Sequence, residues 1–281
     1  MDFLEIIKAI ILGVVEGVTE WLPISSTGHI ILVKEFLYPN MTKDFSDFFD
    51  VFQVVIQLGA IMAVVVLFWK KIFPFSIKKG EKFIKQDIFI MWLKIVVACV
   101  PAAVIGVLWD KEIDKLFYHH YPIAIALITF GILFIVIENK NAHHRPKITS
   151  IAEITYKTAI LIGVFQLIAA VFPGVSRSGA TIIGAMLIGV SRSVATEYTF
   201  FLAIPVMFGA SLLKLYKYGS TFSQLELVVL VTGTLTAFIV SIGIIKFLTG
   251  YIKKHNFKIF GWYRIALGII VIGYFLIQGI M

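Results

Sequence analysis

Charge is scarce in this sequence: 15% of its 281 residues are Asp, Glu, Lys or Arg, where soluble domains carry about 25%. With 59% hydrophobic residues and a mean hydropathy of +0.94, that deficit excludes an ordinary water-soluble globule and points to a chain embedded in lipid. Cysteine is nearly absent. The single Cys99 excludes a disulfide within the chain; it lies in an apolar run beside Pro101 and reads as a small packing residue. A basic leader is missing as well. Met1-Asp2-Phe3-Leu4-Glu5 carries none, and Glu16 and Glu20 interrupt the first apolar stretch, so no cleavable signal is expected. The net charge of +8 on so apolar a chain reflects loop bias rather than affinity for nucleic acid.

What is present is a succession of apolar runs, several reaching the roughly 20 residues that a spanning helix needs. The pattern predicts ten helical pieces. Residues 3–22 end at Pro23 and are followed by a short piece over 26–37, then by spanning candidates 48–69, 88–109 and 121–138. The order then repeats: 155–172 ends at Pro173, a short piece covers 178–190, and 196–216, 225–248 and 260–280 can span. The short pieces cannot cross a core of about 30 Å, so 3–37 and 155–190 read as re-entrant hairpins. The expected fold is an all-α integral membrane protein with six transmembrane helices. Three crossings per half make it one membrane domain of two inverted repeats, 1–140 and 150–281.

The two breaks are versions of one another. Gly13 matches Gly163, Glu16 matches Gln166 and Pro23 matches Pro173; after the extra Gly174, Ser25 matches Ser176 and Gly28 matches Gly179. Gly59-Ala60 and Gly209-Ala210 extend the match into the next helix. Loop charge sets the orientation. Loops 70–87 (with Lys78 and Lys79), 138–157, 191–195 and 246–264 hold about sixteen Lys or Arg, against about seven on the side of both termini, 38–47, 110–120 and 217–224. The first set is expected in the cytoplasm, and the mouth of the first hairpin outside.

Polar residues in lipid mark functional sites. Glu16 and Glu20 are one helical turn apart, and two like charges there need a proton or cation between them. Mg²⁺ is bound through one or two carboxylates plus substrate phosphates. Ser25, Ser26, Thr27 and His29 follow the Pro23 break, offering a nucleophile and its base or a helix N-cap. Arg177, between Ser176 and Ser178, reads as the only arginine deep in an apolar context. It suits bidentate binding of phosphate oxygens, or a structural ion pair with Glu16 or Glu20. His119, His120, His143 and His144 read as loop residues, and Trp262-Tyr263 as part of an interfacial aromatic belt.

The segments Glu16–His29 and Pro173–Thr181 resemble the two signatures of the bacterial undecaprenyl-diphosphate phosphatases of the bacitracin-resistance type, and the likeness covers the whole chain. It implies hydrolysis of undecaprenyl diphosphate to the monophosphate, recycling the lipid carrier for peptidoglycan synthesis. It also implies an isoprenyl diphosphate substrate, a divalent cation (Mg²⁺ or Ca²⁺), and an outward-facing site in the bacterial cytoplasmic membrane. A homodimer is the assembly considered. By the resemblance Glu20, Ser26, His29 and Arg177 are catalytic and Glu16 and Glu20 hold the metal. Ser25, Thr27, Ser176, Ser178 and Thr181 contact the substrate. Either Ser26, deprotonated by His29 or Glu20, or a water is the nucleophile. The rival reading is a lipid-carrier transporter without hydrolysis. A Lys-x6-Arg-Pro lipid phosphatase is discarded, because Glu138 stands where that motif needs lysine before Arg145-Pro146.

Overall fold

The long apolar runs of the sequence are helical. The computed structural model describes residues 2–39, 43–76, 82–142, 145–219 and 222–280; Lys78, Lys79, His143 and His144 lie outside them. The elements are α1 (Asp2–Thr19), α2 (Ser26–Leu37), α3 (Lys43–Leu67), α4 (Trp69–Ile72), α5 (Gln86–Phe117) and α6 (His120–Asn141). A 3₁₀ turn over Ile151–Glu153 precedes α7 (Tyr156–Val171), α8 (Arg177–Leu187), α9 (Arg192–Tyr218), α10 (Gln224–Tyr251) and α11 (Lys258–Ile280). The described residues contain six helices long and apolar enough to cross a membrane, all within α3, α5, α6, α9, α10 and α11. The chain is a multi-pass membrane protein.

Several boundaries depart from expectation, among them the start of α3 at Lys43, inside the expected 38–47 loop. The short α4 follows α3, and α5 runs on to Phe117 through a non-helical Trp109, so most of the expected 110–120 loop is helix. No glycine or proline lies between residues 107 and 117 to stop it.

Four of the helix packings correspond between the earlier and later parts of the chain, while α3 also packs on α10 more extensively than α5 does on α9. Helix α1 packs on α10 and α7 on α5, while α3 packs on α9 and α6 on α11. Gly13 and Gly163 allow the first two approaches: a Cβ on Gly13 would strike the Gly233 carbonyl of α10, and one on Gly163 the Ala98 carbonyl of α5. At the α6–α11 crossing the contact is reciprocal. A Cβ on Gly131 would stand 2.7 Å from the Gly261 carbonyl, and one on Gly261 would stand 2.7 Å from the Gly131 carbonyl.

Helices α2 and α8 have 12 and 11 residues, about 18 and 16 Å at 1.5 Å per residue, well short of the hydrocarbon thickness. Each begins at a break. The first turn is anchored by the fully buried Trp21, which meets Phe200 of α9 edge-on at 5.2 Å. At the opposite end of α6, the buried Glu138 accepts from Arg192 Nε and Nη2 and from the Phe257 N–H. It joins the starts of α9 and α11 to the end of α6.

Candidate active site

Each break ends in a serine with positive φ, the only two non-glycine residues in that region among those described: Ser25 at 73° and Ser176 at 68°. Such backbone costs of order 1–3 kcal/mol and persists only where its surroundings over-determine it. Both serines are N-caps. Ser25 Oγ accepts from Gly28 N at 3.3 Å, and Ser176 Oγ accepts from Gly179 N at 3.2 Å. The capping role and the matched register expected from the sequence are both present.

The caps aim the next residues at one another. Glu20, 7% exposed, accepts from Ser26 Oγ at 2.8 Å on Oε2 and from Arg177 Nη2 at 3.0 Å on Oε1. Arg177 Nη1 donates to the Thr199 carbonyl at 2.9 Å, which fixes the guanidinium against α9. Ser178 Oγ donates to the Glu20 carbonyl at 3.2 Å. Its one proton being used there, the 3.1 Å contact between the Ser176 and Ser178 hydroxyls has Ser176 as donor. An acid of the first hairpin thus bonds a base of the second, the ion pair that the sequence left open.

Glu16 is fully buried, and neither of its carboxylate oxygens has a hydrogen-bond partner. Gln166, Trp21 Nε1, Tyr198 OH and Arg177 Nε share that condition. A buried carboxylate with two bare oxygens one turn from a second carboxylate suits a hard cation, so the donor chemistry fits a divalent metal. Among the described residues no group of three or more His, Cys, Asp or Glu forms a ligand cage. Two carboxylates would therefore have to be supplemented by hydroxyl or phosphate oxygens.

Other candidate residues stand apart from this centre. His29 Nδ1 lies 2.7 Å from the Ser25 carbonyl, an acceptor, so that nitrogen carries the proton. In the neutral ring Nε2 then accepts from the Tyr263 hydroxyl at 2.7 Å, and the two rings stack at 5.5 Å. His29 is therefore bonded to α11, and Ser26 to Glu20. Thr181, fully buried, turns inward: its hydroxyl donates to backbone carbonyls of Arg177 and Ser178 and meets the Thr199 hydroxyl. Thr27 is half-buried in the first turn of α2.

One sequence expectation is corrected here. Arg177 is not the only arginine deep in apolar surroundings. Arg264, assigned by its position to a basic loop, is fully buried on α11, where its guanidinium reaches the Pro23, Gly174 and Val175 carbonyls at 3.2, 2.9 and 2.9 Å. Tyr263, read from the sequence as part of an aromatic belt, is exposed like its neighbour Trp262 and also bonds His29. Among the other histidines, His119 precedes α6 and bonds the Lys115 carbonyl, and His120 stacks on Phe275. The motif search missed Tyr263 and Arg264 because they lie outside both repeated segments; an arginine between long apolar runs was the one signal.

The matches to known proteins follow this geometry. The family model described as Bacitracin resistance protein BacA matches residues 9–270. An undecaprenyl-diphosphatase 1 of Clostridium acetobutylicum is 62% identical over 277 residues, covering 99% of this chain and 100% of that protein. An undecaprenyl-diphosphatase of Lachnoclostridium phytofermentans is 63% identical over 277 residues, 99% of each. One from Enterococcus faecalis is 57% identical over 273 residues, 97% of this chain and 98% of the relative. With its family match running through both breaks and most of every long helix, the chain belongs to the bacitracin resistance protein BacA family.

Proposed function

We infer that the chain is a membrane phosphatase that hydrolyses undecaprenyl diphosphate to undecaprenyl phosphate and inorganic phosphate, recycling the carrier for peptidoglycan synthesis and conferring bacitracin resistance. The observation that carries the chemistry is the Ser26–Glu20–Arg177 chain of contacts across the two hairpins. The near full-length identity to undecaprenyl-diphosphatases supports the substrate.

A diphosphate brings about three negative charges, so the site must neutralise charge and hold an in-line geometry. Ser26 Oγ already donates to Glu20 Oε2, which makes Glu20 the base that takes its proton as the oxygen attacks the terminal phosphorus. The P–O bond to the lipid monophosphate breaks, and the monophosphate leaves with the bond electrons. Water then attacks the phosphorus of the phosphoserine; the bond to Ser26 Oγ breaks, Glu20 returns its proton to that oxygen, and inorganic phosphate leaves. Arg177 places a planar, forked cation beside the same carboxylate, suited to clamp phosphoryl oxygens. The caps Ser25 and Ser176 orient the first turns of α2 and α8, whose N–H groups favour anions. Glu16 and Glu20 would hold a divalent cation, Mg²⁺ or Ca²⁺. When bound, it would supply positive charge to the phosphate oxygens.

The inverted repeat and its two re-entrant hairpins are part of this reading, supported by the matched serine caps and the corresponding helix contacts. So is an active site facing outward from the cytoplasmic membrane, supported by the loop charge asymmetry. Phosphate release by the purified protein from an isoprenyl diphosphate, with and without chelator, tests the activity. Release abolished by chelator and restored by Mg²⁺ or Ca²⁺ is the expected result. Lipid movement without phosphate release would instead make the protein a transporter. Acid-quenched single turnovers test the nucleophile: label trapped on Ser26 is expected, and its absence at every time point assigns the attack to water. Cysteine labelling in a Cys99→Ala background tests orientation, and labelling of position 2 only after permeabilisation would reverse it.

A further inference from the structure

We propose that Arg264 is a positioning residue for this reaction, its single guanidinium holding both helix breaks in register so that Ser26, Glu20 and Arg177 meet. The proposal rests on the phosphatase reading above. Arg264 comes from α11, outside either hairpin, yet it bonds the Pro23 carbonyl of the first break and the Gly174 and Val175 carbonyls of the second. Nε lies a further 3.5 Å from the Leu127 carbonyl of α6. Among the described residues no carboxylate pairs with it, so carbonyl dipoles, with the Phe130 ring 5.8 Å from the guanidinium carbon, compensate a fully buried cation.

Burying a charge in that way is costly, and an apolar side chain would fill the same space without the cost. An apolar side chain could not, however, bond two separate breaks at once. The forked, rigid donor set of arginine can; an ammonium has one nitrogen to serve all of these directions.

The bonded carbonyls sit where position matters most. Pro23 lies two residues before Ser25, and Val175 immediately before Ser176, the two serines with positive φ. A Cβ added to Gly179 would stand 3.0 Å from Arg264 Nη1, so the first turn of α8 also rests on the guanidinium. The strained caps are over-determined by a group they share. Loosening it moves Ser26 on one side and Arg177 on the other, away from Glu20 between them.

The test uses purified wild type, Arg264→Gln, Arg264→Lys, Ser176→Gly and the double variant Arg264→Gln/Ser176→Gly, with farnesyl diphosphate as the probe substrate. Misplacing reacting groups by about 1 Å lowers rate about 10²-fold, and a fall in kcat of that order with KM little changed is expected for Arg264→Gln. Arg264→Lys should fall with it, since its charge is kept and its fork is lost. A raised KM in Arg264→Gln that Arg264→Lys restores would overturn the proposal, because Arg264 would then act by its field on the substrate.

Thermal unfolding supplies the second readout. Glycine adopts positive φ without a Cβ penalty, so Arg264→Gln should lower Tm less in the Ser176→Gly background than in wild type. Strictly additive shifts would sever Arg264 from the strained cap and overturn the proposal. Should Arg264→Gln not fold, Arg264→Lys carries the same comparison. If wild type releases no phosphate, the phosphatase reading fails, while the Tm coupling still judges the link between Arg264 and the caps.

Discussion

In the first hairpin Ser25 turns through φ 73° and caps α2 on Gly28, and in the second Ser176 turns through φ 68° and caps α8 on Gly179. Behind them Gly13 and Gly163 press against α10 and α5. The side chains on this common backbone differ. Glu16 faces its match Gln166, Ser26 its match Arg177, and His29 its match Ala180. Both breaks make the same turn at a helix N-terminus. Glu16, Glu20 and Ser26 lie at the first and Arg177 at the second. Backbone geometry and chemistry are separable here, and variants can pull them apart.

The largest effect is expected at the acid. Glu20→Gln should abolish phosphate release, since it removes the acceptor for Ser26 and leaves Arg177 without its counter-charge. Wild-type turnover in this variant, at any divalent-cation concentration, would mean that the first hairpin's acid is dispensable. Next comes the base. Arg177→Lys keeps the charge but loses the fork, and should cost about 10²–10³ in kcat, as for loss of a transition-state donor. Near-normal kcat would remove the second hairpin from the chemistry.

Exchanging the matched pair sharpens the contrast. Glu16→Gln copies the second hairpin into the first. It should strongly impair cation-dependent activity while raising the melting temperature in detergent, because the bare buried carboxylate is gone. Gln166→Glu runs the other way. It should lower stability, because an ionisable carboxyl replaces a neutral amide in a buried site that offers it no partner, with the smaller effect on rate. Equal rate losses in the two variants would erase the asymmetry.

The smallest effect tests where the likeness ends. Gly59 and Gly209 occupy matched positions. A Cβ on Gly59 would enter the Thr234 carbonyl of α10, whereas around Gly209 nothing lies within 4 Å. Gly59→Ala should cost about 1–3 kcal/mol as overpacking. Gly209→Ala should gain up to about 1 kcal/mol from helix propensity. Melting curves of both variants decide it, and losses of similar size would mean that the two glycines are equally crowded.

Much of this arrangement was legible in the residues. Proline, glycine and hydroxyl punctuation located both breaks, and hydrophobic run length located the spanning helices, because lipid forces the backbone to satisfy itself within each helix. The Glu20–Arg177 contact was among the alternatives, since one buried acid and one buried base have few partners to find. Side-chain commitments were less legible. Nothing in the Ser25–His29 spacing says that the imidazole turns to Tyr263 and the Ser26 hydroxyl to Glu20, because that choice is made by α11, more than 230 residues away in sequence. Arg264 was misplaced for a related reason: loop charge is counted by position along the chain, and Arg264 lies less than two turns inside the helix. Glu138 served only to reject a motif, although it pins three helix ends.

The crossing of α6 and α11 carries a consequence for how the protein holds together. Each helix offers the other a glycine and a carbonyl, and a Cβ added to either glycine would stand 2.7 Å from the opposite carbonyl. That is the self-complementary form of an isologous dimer contact. Both partners here belong to one polypeptide, so an association that would depend on the concentration of two chains in the membrane becomes intramolecular. Dilution in the bilayer cannot part them.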